Sequence, residues 1–385
     1  MQAAKRLVVN IRILDSIHQF EPQQWNRLCN EQYPFCRFEF LAALEDSGCT
    51  TAATGWQVAH LVVEDQGQIL AALPGYVKTH SYGEYVFDWA WADAYHRYGV
   101  NYYPKWISAI PFTPCAGPRL LAKEFSAELI AQICATLDHL CAKREYSGWH
   151  CLFPDARQSE AFSMHGAIQR LGCQFHWFNK NYRNFDDFLA QMSSRKRKNI
   201  SKERRQVGEQ GFHFRIKEST QISASDMDLF HNLYRNTYLK RSGHNGYLNN
   251  AFFQQLLVNF SDHLVLISAQ LHENVIAAAL FVRDENTLYG RYWGCFEEYQ
   301  FLHFETCYYQ GIDYAIAKGI QRFDGGAQGE HKIARGFEPV VTYSNHHLRA
   351  AEFRAAIADF LQQETEHIHH YIAEANTLLP FKRDE

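Results

Sequence analysis

From Asp324 to Arg335 the sequence DGGAQGEHKIAR gathers the side chains of an acid–base reaction: Asp324, Gln328, Glu330, His331, Lys332 and Arg335. This mixture suits transfer of an acyl group to an amine. That reaction needs a path for the amine proton and a donor for the negative charge that develops on the carbonyl oxygen. Glu330 and His331 are the candidate bases. Lys332 and Arg335 are the candidate charge stabilisers, either at the carbonyl or on a phosphate. Gly325, Gly326, Gly329 and Gly336 punctuate the stretch and suggest a backbone shaped for close approach. An ordinary charged surface loop is the plainer reading, and it leaves those glycines unexplained.

The elements that must position this segment are legible upstream. Leu288–Trp293 reads as an aromatic-rich strand, Gly294–Gln300 as a polar loop, and 303–318 as a helix with Cys307, Tyr308, Ile312 and Ile316 at helical spacing. Gly319 stops the helix, and 321–323 is a short strand. Strand, helix and strand leading into a polar cluster is how α/β folds present sites, beyond the carboxyl ends of strands. Arg291 and Tyr292 alternate along the first strand, so they face opposite sides. An arginine there needs a partner, for which Glu305 and Asp324 are available. Glu305 suits the positive end of its helix, and His303 stands beside the same terminus. Arg291, Tyr292, His303, Glu305 and Arg335 are the candidate substrate-binding residues here, each with an ordinary packing or ion-pair role as its alternative.

A second feature is SSRKRKNISKERR, where seven cations fall within the eleven positions Arg195–Arg205. The whole chain carries a formal net charge of −4, so this is a local patch rather than a polyanion-coating surface. Arg195, Lys196, Arg197 and Lys198 lead it. The segment either meets the phosphates of a tRNA, a nucleotide-linked precursor or an anionic lipid, or is a solvated helix face.

The 385 residues suggest two or three domains, with enough apolar and aromatic content for a sizeable core. No run of about 18 apolar residues predicts a membrane span. The first residues lack a long apolar segment of the secretory kind and read as a short leader into a strand. Ten cysteines without a CxxC pair fit free thiols in a reducing compartment, so a cytoplasmic protein is expected. Glu366-His367-Ile368-His369-His370 matches no common metal spacing and reads as a solvated helix face.

Taken in order, the first half predicts a hairpin over 60–63 and 68–77, a strand over 85–89, an aromatic loop over 95–106, a proline-rich segment, a helix over 125–143 and a strand over 149–153. A helix over 159–171 and a strand over 174–178 follow. The second half begins again with a helix over 185–206. His60-Leu-Val-Val matches His263-Leu-Val-Leu, and Ala71-Ala72-Leu73 matches Ala278-Ala279-Leu280, at offsets of 203 to 207 residues. Asp88-Trp89-Ala90-Trp91 falls where Arg291-Tyr292-Trp293-Gly294 falls, and both series then run through a long helix to a strand at Trp149 or Ile320. The shared order implies a duplicated α/β unit of about 180 residues, with domains expected at 1–180 and 181–385.

Several long segments carry a resemblance. RYWG at Arg291–Gly294, LHFETCYYQGIDYAI at 302–316, GAQGEHKIARGF at 326–337, YYPKWISAIPFTPCAGPRLL at 102–121 and the basic SSRKRKNISKERR resemble the FemAB-like N-acyltransferases of bacteria. The resemblance spans most of the chain. It implies α/β (α+β) architecture with tandem GNAT-like acyltransferase domains, mixed sheets flanked by helices, and transfer of an acyl or aminoacyl group to an amine. Cell-wall precursors are the acceptors in distant relatives, and aminoacyl-tRNA the donor. Acyl-CoA is the donor in typical members of the fold. Those enzymes hold the pyrophosphate on a glycine-rich loop before a helix, whereas 295–302 here has no glycine and carries Glu297 and Glu298. The relatives also place a lysine shortly before a Gly-Phe pair, and Lys332 stands four residues before Gly336-Phe337. Two rival readings stay open. One is a non-catalytic module that holds a phosphate-bearing partner on the basic helix. The other is an ordinary acetyl-CoA-dependent N-acetyltransferase.

Overall fold

A computed structural model describes residues 10–29, 33–123, 125–327 and 329–382. Gln328 and the leader expected over the first residues lie outside them. Residue contacts divide the chain into two units. The first holds the described residues up to Gly172 together with Thr342–His367, and the second holds Cys173–Val341 with 368–382.

The strands of the first unit are β1 (Asn10–Leu14), β2 (Trp56–Val58), β3 (His60–Asp65), β4 (Gln68–Leu73), β5 (Gly75–Lys78), β6 (Lys105–Ser108), β7 (Leu121–Ala122) and β8 (Gly148–Leu152). β9 (Ile168–Phe178) runs on into the second unit. There follow β10 (Phe212–Glu218), β11 (Leu264–Leu271), β12 (Asn274–Arg283), β13 (Thr287–Cys295) and β14 (Arg322–Asp324). β15 (Glu338–Leu348) then leads back to the first unit.

In the second unit the strand order is β10-β11-β12-β13-β14-β9. Neighbours are antiparallel except β13 and β14, which pair in parallel through the helical crossover between them. The first unit repeats this scheme. β1, β3 and β4 are antiparallel, β5 pairs antiparallel with β6, β6 pairs parallel with β8, and β8 pairs antiparallel with β15. β4 and β5 together stand for the unbroken β12. Pro74 separates them because it has no N–H for a ladder bond. The duplication expected from sequence is therefore present as topology.

The repeat differs from the expected one in two respects. The strand expected over 85–89 is absent: Trp89 opens a helix, Trp89–Arg97, and the topological counterpart of β13 is β6, inside the expected aromatic loop. Tyr95, Tyr102 and Trp106 are buried packing residues of that stretch. The last strand of each unit also comes from the other half of the sequence, β15 for the first and β9 for the second. Nothing in the hydrophobic pattern marks this exchange. Two smaller differences follow from breakers. The helix expected over 159–171 is Ala156–Met164, ended before Gly166 at φ +91°. The helix expected over 185–206 is two, Phe185–Ala190 and Ser194–Glu209.

The crossover helix of the second unit covers Leu302–Ala317 and contains a wide π turn at Glu305–Tyr309. Such turns insert a residue and re-aim the side chains around them, often at functional sites. The helix packs by Ile312, Ala315 and Tyr309 onto Phe281 and Phe323 of the sheet, in a core completed by Phe337 and Trp177. Gly311 permits the approach, since a Cβ there would lie 2.7 Å from the Phe323 ring. On the other face of the sheet the helix Ala224–Ser242 crosses β13 at Gly294. A Cβ at that glycine would stand 2.2 Å from the Leu233 carbonyl carbon.

Candidate active site

β13 and β14 pair in parallel only from Thr287–Arg322 to Tyr289–Asp324. Immediately beyond, β13 bulges. Leu280 opposes Tyr292 while Phe281 opposes Gly290, so Arg291 is the extra residue. The parallel pairing thus ends where the polar segment begins. From Asp324 the chain turns through Gly326, at φ +78°, into the short helical loop Glu330–Arg335.

Lys332 folds back to that turn. It is 1% exposed, and its Nζ donates to the Gly326 carbonyl at 2.7 Å. The Gly326 amide in turn donates to Asp324 Oδ1 at 2.8 Å. Gly326 therefore links the ammonium to the carboxylate at the end of β14. Asp324 is buried, yet its pKa is lowered. Burial opposes ionisation, and His176, the Gly326 amide, Arg291 and Arg322 outweigh it. Asp324, one of the two partners available to Arg291 from sequence, feels its charge.

Glu305 is committed elsewhere. It is 3% exposed and is gripped by Arg204, whose Nη2 lies 3.0 Å from Glu305 Oε1 and 2.7 Å from Asp313. Gln310 adds a hydrogen bond of 2.8 Å, and the Arg204 guanidinium lies over the Phe185 ring. Arg335 is similarly engaged. It reaches Glu203 at 2.9 Å and the His331 carbonyl at 2.7 Å, and sits 3.4 Å from the centre of the Phe304 ring. Glu203 also accepts from the Tyr309 hydroxyl. Consecutive residues of the basic helix thus pin both the crossover helix and the Glu330–Arg335 loop. Tyr292 packs edge-on against Phe253 on the Ala224–Ser242 side of the sheet.

The two histidines form a separate group. His331 Nε2 and the Tyr308 hydroxyl are 2.9 Å apart, and the His303 ring stands 6.2 Å from the His331 ring, with Trp293 and Tyr308 against it. Burial lowers His303 to about 3, helped by His331, Arg241, Arg335 and Lys332. His331 falls to about 4 through burial, Lys332 and Arg335. Both are neutral at pH 7. Glu330 is exposed and accepts from the Tyr371 hydroxyl at 3.0 Å, away from Lys332. The adjacent residues Glu330, His331 and Lys332 therefore point three ways, and only Lys332 reaches the end of β14.

The basic helix Ser194–Glu209 buries Ile200 and Val207. Arg195, Lys196, Arg197 and Lys198 carry no ion pair to a described residue. They crowd the first turns, where the helix dipole disfavours cations. Gly336 lies against Met192, just before the helix, and Arg335 against Glu203 within it, so the end of the Glu330–Gly336 loop meets this helix. Lys196 shares the face of Ile200 and Glu203.

A family model described as peptidoglycan biosynthesis and recognition matches residues 16–383. The chain belongs to the FemAB-like family. Its fold is shared with solved structures at low identity. A crystal structure of FemX superposes with TM-score 0.53 at 10% identity, covering 86% of this chain and 96% of that one. The C-terminal domain of a putative lysylphosphatidylglycerol synthetase from Agrobacterium fabrum gives 0.53 at 8%, covering 89% and 96%. L-PGS from Bacillus licheniformis gives 0.50 at 9%, covering 83% and 95%. No curated protein matches the sequence significantly. No helix among the described residues is long and apolar enough to cross a membrane.

In this FemAB-like chain the stretch between β13 and the crossover helix lacks the glycine-rich loop that the resemblance to acyl-CoA enzymes would place there. Between β13 and the crossover helix, the Cys295 and Phe296 carbonyls accept from Asn236, Phe301 takes φ +64° with no glycine nearby, and Glu297 and Glu298 are exposed. The loop offers no glycine cradle for a diphosphate, and its charge is mixed, since Lys240 donates to the Phe296 carbonyl at 2.5 Å beside the two glutamates. Sequence reasoning missed three residues of the site: His176, Glu203 and Arg204. The latter two lie inside the basic run, but their partners are 101 to 132 positions away in sequence, and no local spacing reveals them.

Proposed function

We propose that this protein is an N-acyltransferase that moves an acyl or aminoacyl group from an activated carrier to an amine, by direct attack of the amine on the carrier's carbonyl carbon. The observation that carries the reading is the ammonium of Lys332. It is buried and fixed on the Gly326 carbonyl at the point where the parallel strand pairing ends. A preorganised cation in a water-poor site stabilises the oxyanion of the tetrahedral intermediate, and such a donor is worth about 10²–10³ in rate. Family membership supports the same chemistry and favours a cell-wall-precursor-like acceptor. The lack of a glycine-rich loop at 295–302 argues for a carrier other than acyl-CoA held in the usual way. The cations Arg195–Lys198, which carry no ion pair to a described residue, favour a phosphate-rich carrier such as aminoacyl-tRNA, or a nucleotide-linked acceptor.

The test is a donor-consumption panel with acetyl-CoA, longer acyl-CoAs, a charged tRNA mixture and a UDP-linked cell-wall precursor as acceptor. Loss of aminoacyl-tRNA that depends on the precursor is the expected result. Consumption of acetyl-CoA alone would replace this reading with an ordinary acetyltransferase. Binding without consumption of any donor would replace it with a binding module.

A further inference from the structure

The two faces of the second unit's sheet differ around the end of β14. Phe323 and Trp177 turn toward the crossover helix and lie in its apolar core. Asp324 and its cross-strand neighbour His176 turn the other way. His176 is 5% exposed, and its Nε2 has no hydrogen-bond partner among the described residues. The nearest anion is Asp324 Oδ2 at 3.6 Å, beyond hydrogen-bond range. A buried ring nitrogen left in this condition costs stability, and native proteins rarely tolerate it without a reason. Asp324 itself is held by the amide of Gly326, whose carbonyl carries Lys332. Carboxylate and cation are therefore joined through Gly326 at the end of the parallel pair, and the His176 ring stands beside that carboxylate.

We infer that His176 is the proton acceptor of the transfer reaction, with Asp324 as the positioning residue that stabilises its protonated ring. The inference rests on the acyltransfer reading. In the step, the amine nitrogen bonds to the carbonyl carbon while the carbonyl electrons move onto oxygen, opposite Lys332. The proton on that nitrogen passes to His176 Nε2, giving an imidazolium beside the Asp324 carboxylate. The C–O or C–S bond to the carrier then breaks, and the carrier's oxygen or sulfur leaves with the proton returned by His176. Atoms and charge balance without another reactant.

The ring is suited to this work because it is neutral. Burial lowers its pKa to about 4; Asp324 opposes that shift, while Arg322 and Lys332 add to it. A nitrogen already bonded to the carbonyl carbon is far more acidic than a free ammonium, so a weak base suffices. Among the site histidines, His303 and His331 lie with Tyr308 on the crossover-helix side, and neither is paired with a carboxylate of a described residue.

Two measurements decide the matter. Histidine-selective ¹⁵N NMR of the whole protein, with no ligand, reads the tautomer. The expected result is a neutral His176 ring protonated on Nδ1 with Nε2 free, titrating near pH 4 and lower still in Asp324→Asn. A proton resident on Nε2 in the neutral ring would overturn the inference, since that nitrogen could not then accept one. The second measurement uses whichever donor the wild type consumes. His176→Gln is expected to lower kcat about 10²–10⁴-fold with KM within threefold, and to remove the acidic limb of the kcat/KM profile. Activity within threefold of wild type, or an unchanged acidic limb, would refute it. If the wild type consumes no donor, the acyltransfer reading fails and this role of His176 falls with it, whereas a resident Nε2 proton or an unaffected His176→Gln in an active enzyme overturns the role alone.

Discussion

Replacing Arg204 by Met separates an architectural account of Glu305 from a substrate-binding one. Glu305 is nearly solvent-free, and Arg204 supplies hydrogen bonds to both its oxygens as well as to Asp313. Removing one partner of a buried ion pair costs about 3–5 kcal/mol, because the survivor stays buried and unpaired. The Arg204 side chain is 25% exposed and Asp313 35%, so water reaches part of the pair and the lower end applies, about 3 kcal/mol. For a unit of this size class that is a fall in Tm of about 6–12 °C. Hydrogen exchange of peptides from Leu302–Ala317 during mild urea titration reads it locally. The double variant Arg204→Met with Glu305→Gln should recover at least half of the loss, since the unpaired charge is gone while the Gln310 contact can persist. A loss below about 1 kcal/mol in the single variant, or no recovery in the double, would refute the reasoning.

Other consequences follow from the same contacts. Gly294→Ala should prevent correct packing of the helix Ala224–Ser242 on β13, because the added Cβ would meet backbone rather than a movable side chain; near-wild-type Tm would contradict this. Glu203→Gln should loosen the Glu330–Arg335 loop, seen as faster hydrogen exchange of that segment with the sheet unchanged. His176 and His303 have folded pKa values of about 4 and 3, below the unfolded value of about 6.5. The unfolded chain therefore takes up protons first as pH falls, and these two groups should withdraw stability progressively between about pH 6.5 and about 3. His303→Phe should shallow that slope, as read by urea unfolding across pH. Reversing the charge of Arg195, Lys196, Arg197 and Lys198 should abolish binding of a tRNA mixture in low salt while leaving Tm within a few degrees.

The parts of the fold that were legible in sequence are those written in local pattern. The paired hairpins, the Leu288–Phe323 strand–helix–strand run, the stop at Gly319 and the halves' common order all rest on short-range periodicity and turn residues. The strand expected over 85–89 failed because an aromatic run has the same composition in a strand and in the first turn of a helix. Trp91 and Tyr95 lie one turn apart and bury one helical face. The exchange of β9 and β15 left no trace because each strand is equally hydrophobic in either sheet. At the site, Lys332 and Asp324 were visible as chemistry in one segment. Glu330 and His331 looked equivalent to Lys332 because adjacency in sequence conceals direction. In a tight helical loop, successive side chains diverge by about 100–120°. His176 was invisible because it meets Asp324 only through antiparallel pairing of strands some 148 positions apart.

Single-turnover transfer by Lys332→Met reports directly whether Lys332 stabilises charge on the reacting carbonyl. Methionine keeps the length and apolar stem without the ammonium. With circular dichroism unchanged and Tm within a few degrees of wild type, the account predicts a transfer rate lower by about 10²–10³-fold at saturating substrate. A well-folded variant that transfers within threefold of the wild-type rate would contradict it.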